Sequence, residues 1–269
     1  MENGEWDYNL IEQQILDGFQ LDKVSPSKPV LLIGDCIEIM KSFPELSVDL
    51  IIDDVGYDDL EKDRSIGTTT RLTEKTGTKW YKLTSYFDTI PIYSTILKRN
   101  RHIYFWRPAI NKGSLQNWST LLDPLGILPK NNFKVRKVIP VMKNYRGMGY
   151  SYNAQHENIL YAIKGNARQL NDLNYPDIFD VKWKHPQSLD KIHTSEKPIQ
   201  AYKIMIANSS NKGEIILEPF AGSFQSALCN VKYRMGRKVI GIEVDEENAK
   251  KTAENYQRVT RKKLTVHRL

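Results

Sequence analysis

The chain has 269 residues, 40% of them hydrophobic, which supplies the core of one large α/β domain, 1–269, without requiring a second. Lys and Arg number 39 against 32 acidic residues, and the net charge of +7 has the sign expected of a chain that approaches phosphates. No apolar run is long enough to span a bilayer, Met1-Glu2-Asn3-Gly4-Glu5 lacks a basic-then-apolar signal, and Cys36 and Cys229 lack the spacing of a zinc or dithiol pair. The expectation is a cytoplasmic protein that holds no metal, makes no membrane contact and buries both cysteines.

In chain order, Pro29-Val30-Leu31-Leu32-Ile33 predicts a buried strand that ends at Gly34-Asp35, followed by a short amphipathic helix through Ile37, Met40 and Phe43. Ser47 to Asp54 predicts a second buried strand, apolar until its terminal Asp53-Asp54, and Val55-Gly56-Tyr57 follow directly. The stretch from Asp63 through Arg64 and Arg71 to Lys82 is polar, hydroxyl-rich and basic, a composition that suits phosphate contacts and equally any surface loop. Arg101 to Trp106, Phe133 to Ile139 and Glu157 to Ile163 read as three further strands. The glycine and aromatic segment Gly147 to Tyr152 precedes the last of them. Basic clusters fall at Lys98, Arg99, Arg101 and His102, at Lys134, Arg136 and Lys137, at Lys143 and Arg146, and at Arg261, Lys262 and Lys263. Each suits either nucleic acid or a solvated face.

His193-Thr194-Ser195-Glu196-Lys197-Pro198 then leads into an amphipathic helix through Tyr202, Ile204, Met205 and Ile206, with Thr194 or Ser195 as candidate caps and Pro198 in the first turn. Ile215-Ile216-Leu217-Glu218-Pro219-Phe220-Ala221-Gly222-Ser223 reads as strand, tight glycine turn and helix start. Lys238 to Asp245 is a further strand, ending in the carboxylates Glu243 and Asp245. An acid at each strand tip, the second at a distance suited to ribose hydroxyls, points to a nucleoside-bearing cofactor.

These segments resemble the S-adenosylmethionine-dependent DNA methyltransferases that modify exocyclic amino groups. The stretch from Glu218 is similar to their Asp-Pro-Phe-x-Gly-Ser-Gly, with Glu218 for the usual Asp and Phe224, at the start of a helix, for the second glycine. His193 to Pro198 resembles His-Pro-Thr-Glu-Lys-Pro, and Asp54-Val55-Gly56-Tyr57 resembles Asp-Pro-Pro-Tyr with both prolines lost. The catalytic strand precedes the cofactor loop, as in the circularly permuted beta class. The resemblance covers 29–57 and 193–250 well and 101–165 loosely.

The resemblance implies a Rossmann-like methyltransferase fold, a mostly parallel α/β sheet with helices on both faces, in which the strands carrying Glu218 and Asp54 can be neighbours. It implies S-adenosyl-L-methionine as cofactor, held by Asp35, Lys197, Pro198, Glu218, Phe220, Gly222, Ser223 and Glu243. It implies catalysis by Asp54, the Val55 carbonyl and Tyr57 on a base flipped out of double-stranded DNA, with Arg64, Arg71, Tyr150 and His156 contacting the substrate. An amino nitrogen whose lone pair is delocalised into the ring needs hydrogen-bond acceptors that localise it, and a flipped base needs an aromatic face. Segments 61–90 and 166–192, the latter with Lys182, Trp183, Lys184 and His185, are the candidate DNA contacts, and so little chain outside the core implies a short target or a homodimer partner. Asp54 favours adenine N6 over cytosine N4. Val55-Gly56 removes rigidity on the order of 1 kcal/mol or more in ordering entropy, so one alternative is a weak or silent DNA- or cofactor-binding protein; an RNA base methyltransferase, since a pocket for a flipped base does not display what surrounds that base, and an α/β enzyme of another nucleotide are the others.

Overall fold

In a computed structural model the described residues are 21–54, 86–107, 125–146, 152–166, 168–184, 188, 192 and 196–269. They build one nine-stranded sheet. Its strands are β1 (Val30–Ile33), β2 (Val48–Asp53), β3 (Leu97–Arg107), β4 (Phe133–Met142), β5 (His156–Lys164), β6 (Phe179–Asp180), β7 (Ile215–Glu218), β8 (Lys238–Glu243) and β9 (Thr265–Arg268). The helices are α1 (Cys36–Lys41), α2 (Tyr86–Ile96), α3 (Ile199–Ser209), α4 (Gln225–Lys232) and α5 (Glu246–Thr260).

All six positions of β2 are buried, as a parallel strand covered on both faces requires. Leu50 and Ile52 face one apolar layer, shared with Tyr202 and Met205 of α3, Ala227 and Leu228 of α4, and Tyr256 of α5. Ile51 faces the other, shared with Ile39 and Met40 of α1 and Ile90 and Tyr93 of α2. Phe43 lies beyond the end of α1 yet joins that second layer, and both cysteines are buried as expected.

The order across the sheet is β6-β4-β5-β3-β2-β7-β8-β1-β9. From β2 the chain moves outward to β3, whereas from β7 it moves the opposite way to β8. The reversal falls between β2 and β7, which pair in parallel with Leu50 opposite Ile216 and Ile51 opposite Leu217. A crevice at such a reversal, outside the strands' carboxyl ends, is where open α/β sheets take ligands. Asp54 and Glu218 close the two strands that flank it. Antiparallel β5 brings its first residues to the same edge, where Asn158 pairs with Arg107 at the end of β3. Among the described residues no helix is long and apolar enough to cross a membrane.

Candidate active site

At the tip of β7 the chain turns through Pro219 to Ser223 and enters α4. Gly222 has φ +46, and nothing among the described residues lies within 4 Å of where a Cβ would stand, so they leave this backbone open to a ligand. The turn is fastened from three sides. Ala221 N–H donates to Ile242 O at 2.7 Å, Gly222 N–H donates to Glu243 Oε2 at 3.0 Å, and the Thr252 hydroxyl of α5 donates to Gly222 O at 2.5 Å. Glu243 takes a second backbone donor, Asp245 N–H, on Oε1 at 2.9 Å. A carboxylate offers about four lone-pair sites, so the half-exposed Glu243 keeps capacity for two hydroxyls while it holds the loop. Burial nonetheless pushes its pKa up.

Phe224 sits at the start of α4 as predicted, in the left-handed region (φ 51, ψ 54) and with its side chain buried. A Cβ at Gly241 of β8 would stand 2.6 Å from the Phe224 ring. The glycine missing from the loop is thus matched by a glycine under the ring.

Glu218 is buried, and its Oε2 accepts from the Ser226 N–H at 3.2 Å and from the Ser226 hydroxyl. Burial pushes its pKa up to about 8 despite these donors, which favours its uncharged form. The Ser223 hydroxyl, also buried, accepts from the Gln225 amide at 3.1 Å, and Phe220 packs half-buried against the α1–α2 layer. Asp35 is exposed and caps α1, its Oδ1 accepting from Ile37 N–H at 2.8 Å and Glu38 N–H at 3.2 Å. Pro198 is the cap residue of α3 and supplies no side-chain bond, while Thr194 and Ser195 lie outside the described residues.

The acid end of the site centres on Lys197. Its ammonium, buried to 5% exposure, lies 3.2 Å from Asp54 Oδ1 and 3.0 Å from Glu157 Oε2. Glu157 Oε1 in turn meets Lys143 Nζ at 2.8 Å. Lys197 also stands 5.4 Å above the Trp106 ring, which stacks on Tyr202 and meets Trp183 edge-on. Burial raises Asp54 to about 6 against the pull of Lys197. Burial also opposes ionisation of Glu157, but Lys197 and Lys143 together hold its pKa below the usual value. The resemblance places Lys197 among the residues that hold the cofactor. Within the chain it already has two carboxylate partners, and any third would have to share it.

Of the remaining predicted site residues, Val55, Gly56, Tyr57, Arg64, Arg71 and Tyr150 lie outside the described residues. His156 is half-buried at the start of β5, and strand alternation places it on the face opposite Glu157 and Lys197. Trp183 is corrected from a recognition residue to a core one: it is buried, and its indole N–H donates to Met142 O at 2.7 Å. In the same segment Arg168 and Asn171 are fixed at the opposite, amino edge, where Arg168 O bonds His102 and the Asn171 amide donates to Ala207 O and Ser210 O. Of the cluster from Lys98 to His102, Arg99 is exposed, whereas Lys98, Arg101 and His102 are structural. Lys98 and Arg101 each meet Asp49 at 2.9 Å, and His102 is buried against Ser209. Only of segment 61–90's last residues is structure described, and 86–90 open α2. Glu157 and Lys143 were not predicted as site residues. A glutamate near the start of a mostly apolar strand was the available signal.

Acids at the tips of neighbouring strands around a glycine turn at a sheet reversal define a nucleotide-binding α/β protein of Rossmann-like methyltransferase architecture. The family model for N6/N4 methyltransferases, described as DNA methylase, matches residues 48–255, and the chain belongs to that family of DNA methyltransferases. The DNA adenine methyltransferase YhdJ of Escherichia coli (strain K12) is 27% identical over 249 residues, covering 82% of this chain and 80% of that protein. The structure of M1.HpyAVI in complex with S-adenosylmethionine superposes with a TM-score of 0.57 at 22% identity, over 84% of this chain and 98% of that one. The cytosine-N4-specific PvuII DNA methyltransferase superposes at 0.63 with 15% identity, over 91% and 98%.

Proposed function

We propose that this DNA methyltransferase transfers a methyl group from S-adenosyl-L-methionine to the N6 amino group of an adenine flipped out of double-stranded DNA. The observation that carries the reading is the adjacency of Asp54 and the Gly222 turn across the β2–β7 reversal. The residues present fit the cofactor: an open glycine backbone, a half-exposed Glu243 with lone pairs left for ribose hydroxyls, and Phe220 and Ser223 within the turn; Pro198, the cap residue of α3, is assigned to the methionine end with Lys197. Asp35, at the tip of β1 beside β8, is assigned to the adenine side of the cofactor. When bound, the cofactor supplies an electrophilic methyl on a sulfonium.

Asp54 has one carboxylate to offer an amino N–H, and an acceptor there leaves the nitrogen lone pair directed at the methyl carbon. The Val55 carbonyl is assigned the second N–H and Tyr57 the face of the flipped base; Arg64, Arg71, Tyr150 and His156 are assigned to the DNA. Asp54 at the first position of its motif supports adenine, as does the name of the relative YhdJ. A buried Lys197 favours the ionised, accepting form of Asp54. A second reading, a silent cofactor- or DNA-binding protein, is favoured by Val55-Gly56 in place of two prolines. Labelled methyl transfer to unmethylated DNA separates the two. Wild type transfers label and Asp54→Ala transfers none while keeping its cofactor affinity; equal activity of the two proteins would misplace the reaction centre.

A further inference from the structure

Two lysines and two carboxylates alternate through the acid end of the site: Lys143, Glu157, Lys197, Asp54. We propose that Glu157 and Lys143 are positioning residues for methyl transfer, which divide Lys197 between two carboxylates so that Asp54 keeps an oxygen for the amino group of the base. This rests on the reaction proposed above.

The geometry carries it. Each oxygen of Glu157 takes a different lysine, Oε1 from Lys143 at 2.8 Å and Oε2 from Lys197 at 3.0 Å, so the carboxylate cannot turn toward one without releasing the other. A lysine ammonium has three donors and no fixed fork, and on a flexible stem it goes wherever charge draws it. Here it is bounded by Glu157, by Asp54 at 3.2 Å and by the Trp106 ring at 5.4 Å. Lys143 is bounded in the same manner, with Trp183 5.0 Å and Tyr145 5.8 Å from its nitrogen. Side-chain exposures of 5% for Lys197, 16% for Glu157, 18% for Lys143 and 19% for Asp54 put all four where water screens poorly.

Without Glu157, the full charge of Lys197 falls on Asp54 and closes over the oxygens that the base needs. Without Lys143, Glu157 draws Lys197 away, and Asp54 loses the cation that keeps it ionised. Among the described residues, the charged groups acting on Asp54 are Lys197 ahead of α3, Glu157 on β5, Glu218 on β7 and its own neighbour Asp53. Burial favours the uncharged form of Glu218, and among the described residues Lys197 and Glu157 set the balance from outside β2.

The test is a carboxyl-carbon NMR titration of the full chain labelled at aspartate, with Asp54→Asn to assign the resonance, alongside kcat and cofactor Kd. In Glu157→Gln the Asp54 midpoint moves down, and in Lys143→Met it moves up. Both variants lose kcat by roughly tenfold to a hundredfold, as misplacement of a reacting group does, with cofactor Kd unchanged. A packing role would lower stability without moving the two midpoints in opposite directions. Wild-type midpoints in both variants, or unchanged kcat in both, overturn the proposal. Opposite midpoint shifts in a chain that methylates no DNA support the charge division and overturn the methyl-transfer reading alone.

Discussion

Phe224 and Gly241 form a pair whose energetics follow from the coordinates. A left-handed conformation costs a residue with a Cβ roughly 1–2 kcal/mol, and Phe224 meets that cost with a side chain that is 1% exposed. Removing a buried phenylalanine ring to alanine costs about 3–5 kcal/mol, so Phe224→Ala is expected to be severely destabilising. In Gly241→Ala the new Cβ stands 2.6, 2.8 and 2.9 Å from Cε2, Cζ and Cδ2 of that ring, all inside contact distance. Overpacking of this kind costs roughly 1–3 kcal/mol, offset by about 0.5–1 kcal/mol from replacing a strand glycine. With Phe224 already alanine there is nothing to overlap, and Gly241→Ala becomes neutral or stabilising by about 0.5 kcal/mol. The double-mutant cycle is therefore predicted to show a coupling of roughly 1–3 kcal/mol in urea unfolding. Equal costs of Gly241→Ala in both backgrounds would refute the idea that the ring under β8 compensates for the missing loop glycine.

Glu243→Ala removes acceptors for both ribose hydroxyls and for the Gly222 N–H, so S-adenosylmethionine affinity is expected to fall by roughly 1–3 kcal/mol in calorimetry, with the fold retained. Unchanged affinity would count against the cofactor site as assigned. Changing Val55 and Gly56 together to proline should speed transfer without altering cofactor affinity, because two prolines restrict the backbone between Asp54 and Tyr57; no gain in rate would remove backbone freedom as the weakness of this motif. DNA binding should weaken linearly in log–log salt titrations, with a slope of about −0.9 per phosphate neutralised, and a flat response would exclude an electrostatic interface.

The parallel core was legible because its strands are short apolar runs closed by an acid: β2, β7 and β8 lie where their sequences place them, and Asp54 and Glu218 flank one crevice. β9 was not legible. Thr265–Arg268 has no apolar run and becomes a strand only by pairing with β1. α2 contains Pro91, which masks its pattern. Trp183 among lysines read as a nucleic-acid contact because nothing local reports that β4 offers a carbonyl and Trp106 an edge. Lys197 and Glu157 meet across 40 residues of sequence, and such a pair follows from topology alone. Phe224 kept its predicted place at the start of a helix, but the space that receives its ring was not legible, because it depends on a glycine in another strand.

The most direct measurement is incubation of the chain with methyl-labelled S-adenosylmethionine and unmethylated DNA, followed by digestion to nucleosides and separation of the labelled product. The account predicts that label elutes as N6-methyladenosine of the deoxy series, and that it vanishes with Asp54→Ala. Label on cytosine N4 would contradict the assignment of the base. No label in any nucleoside, from a chain that binds both cofactor and DNA, would contradict methyl transfer itself.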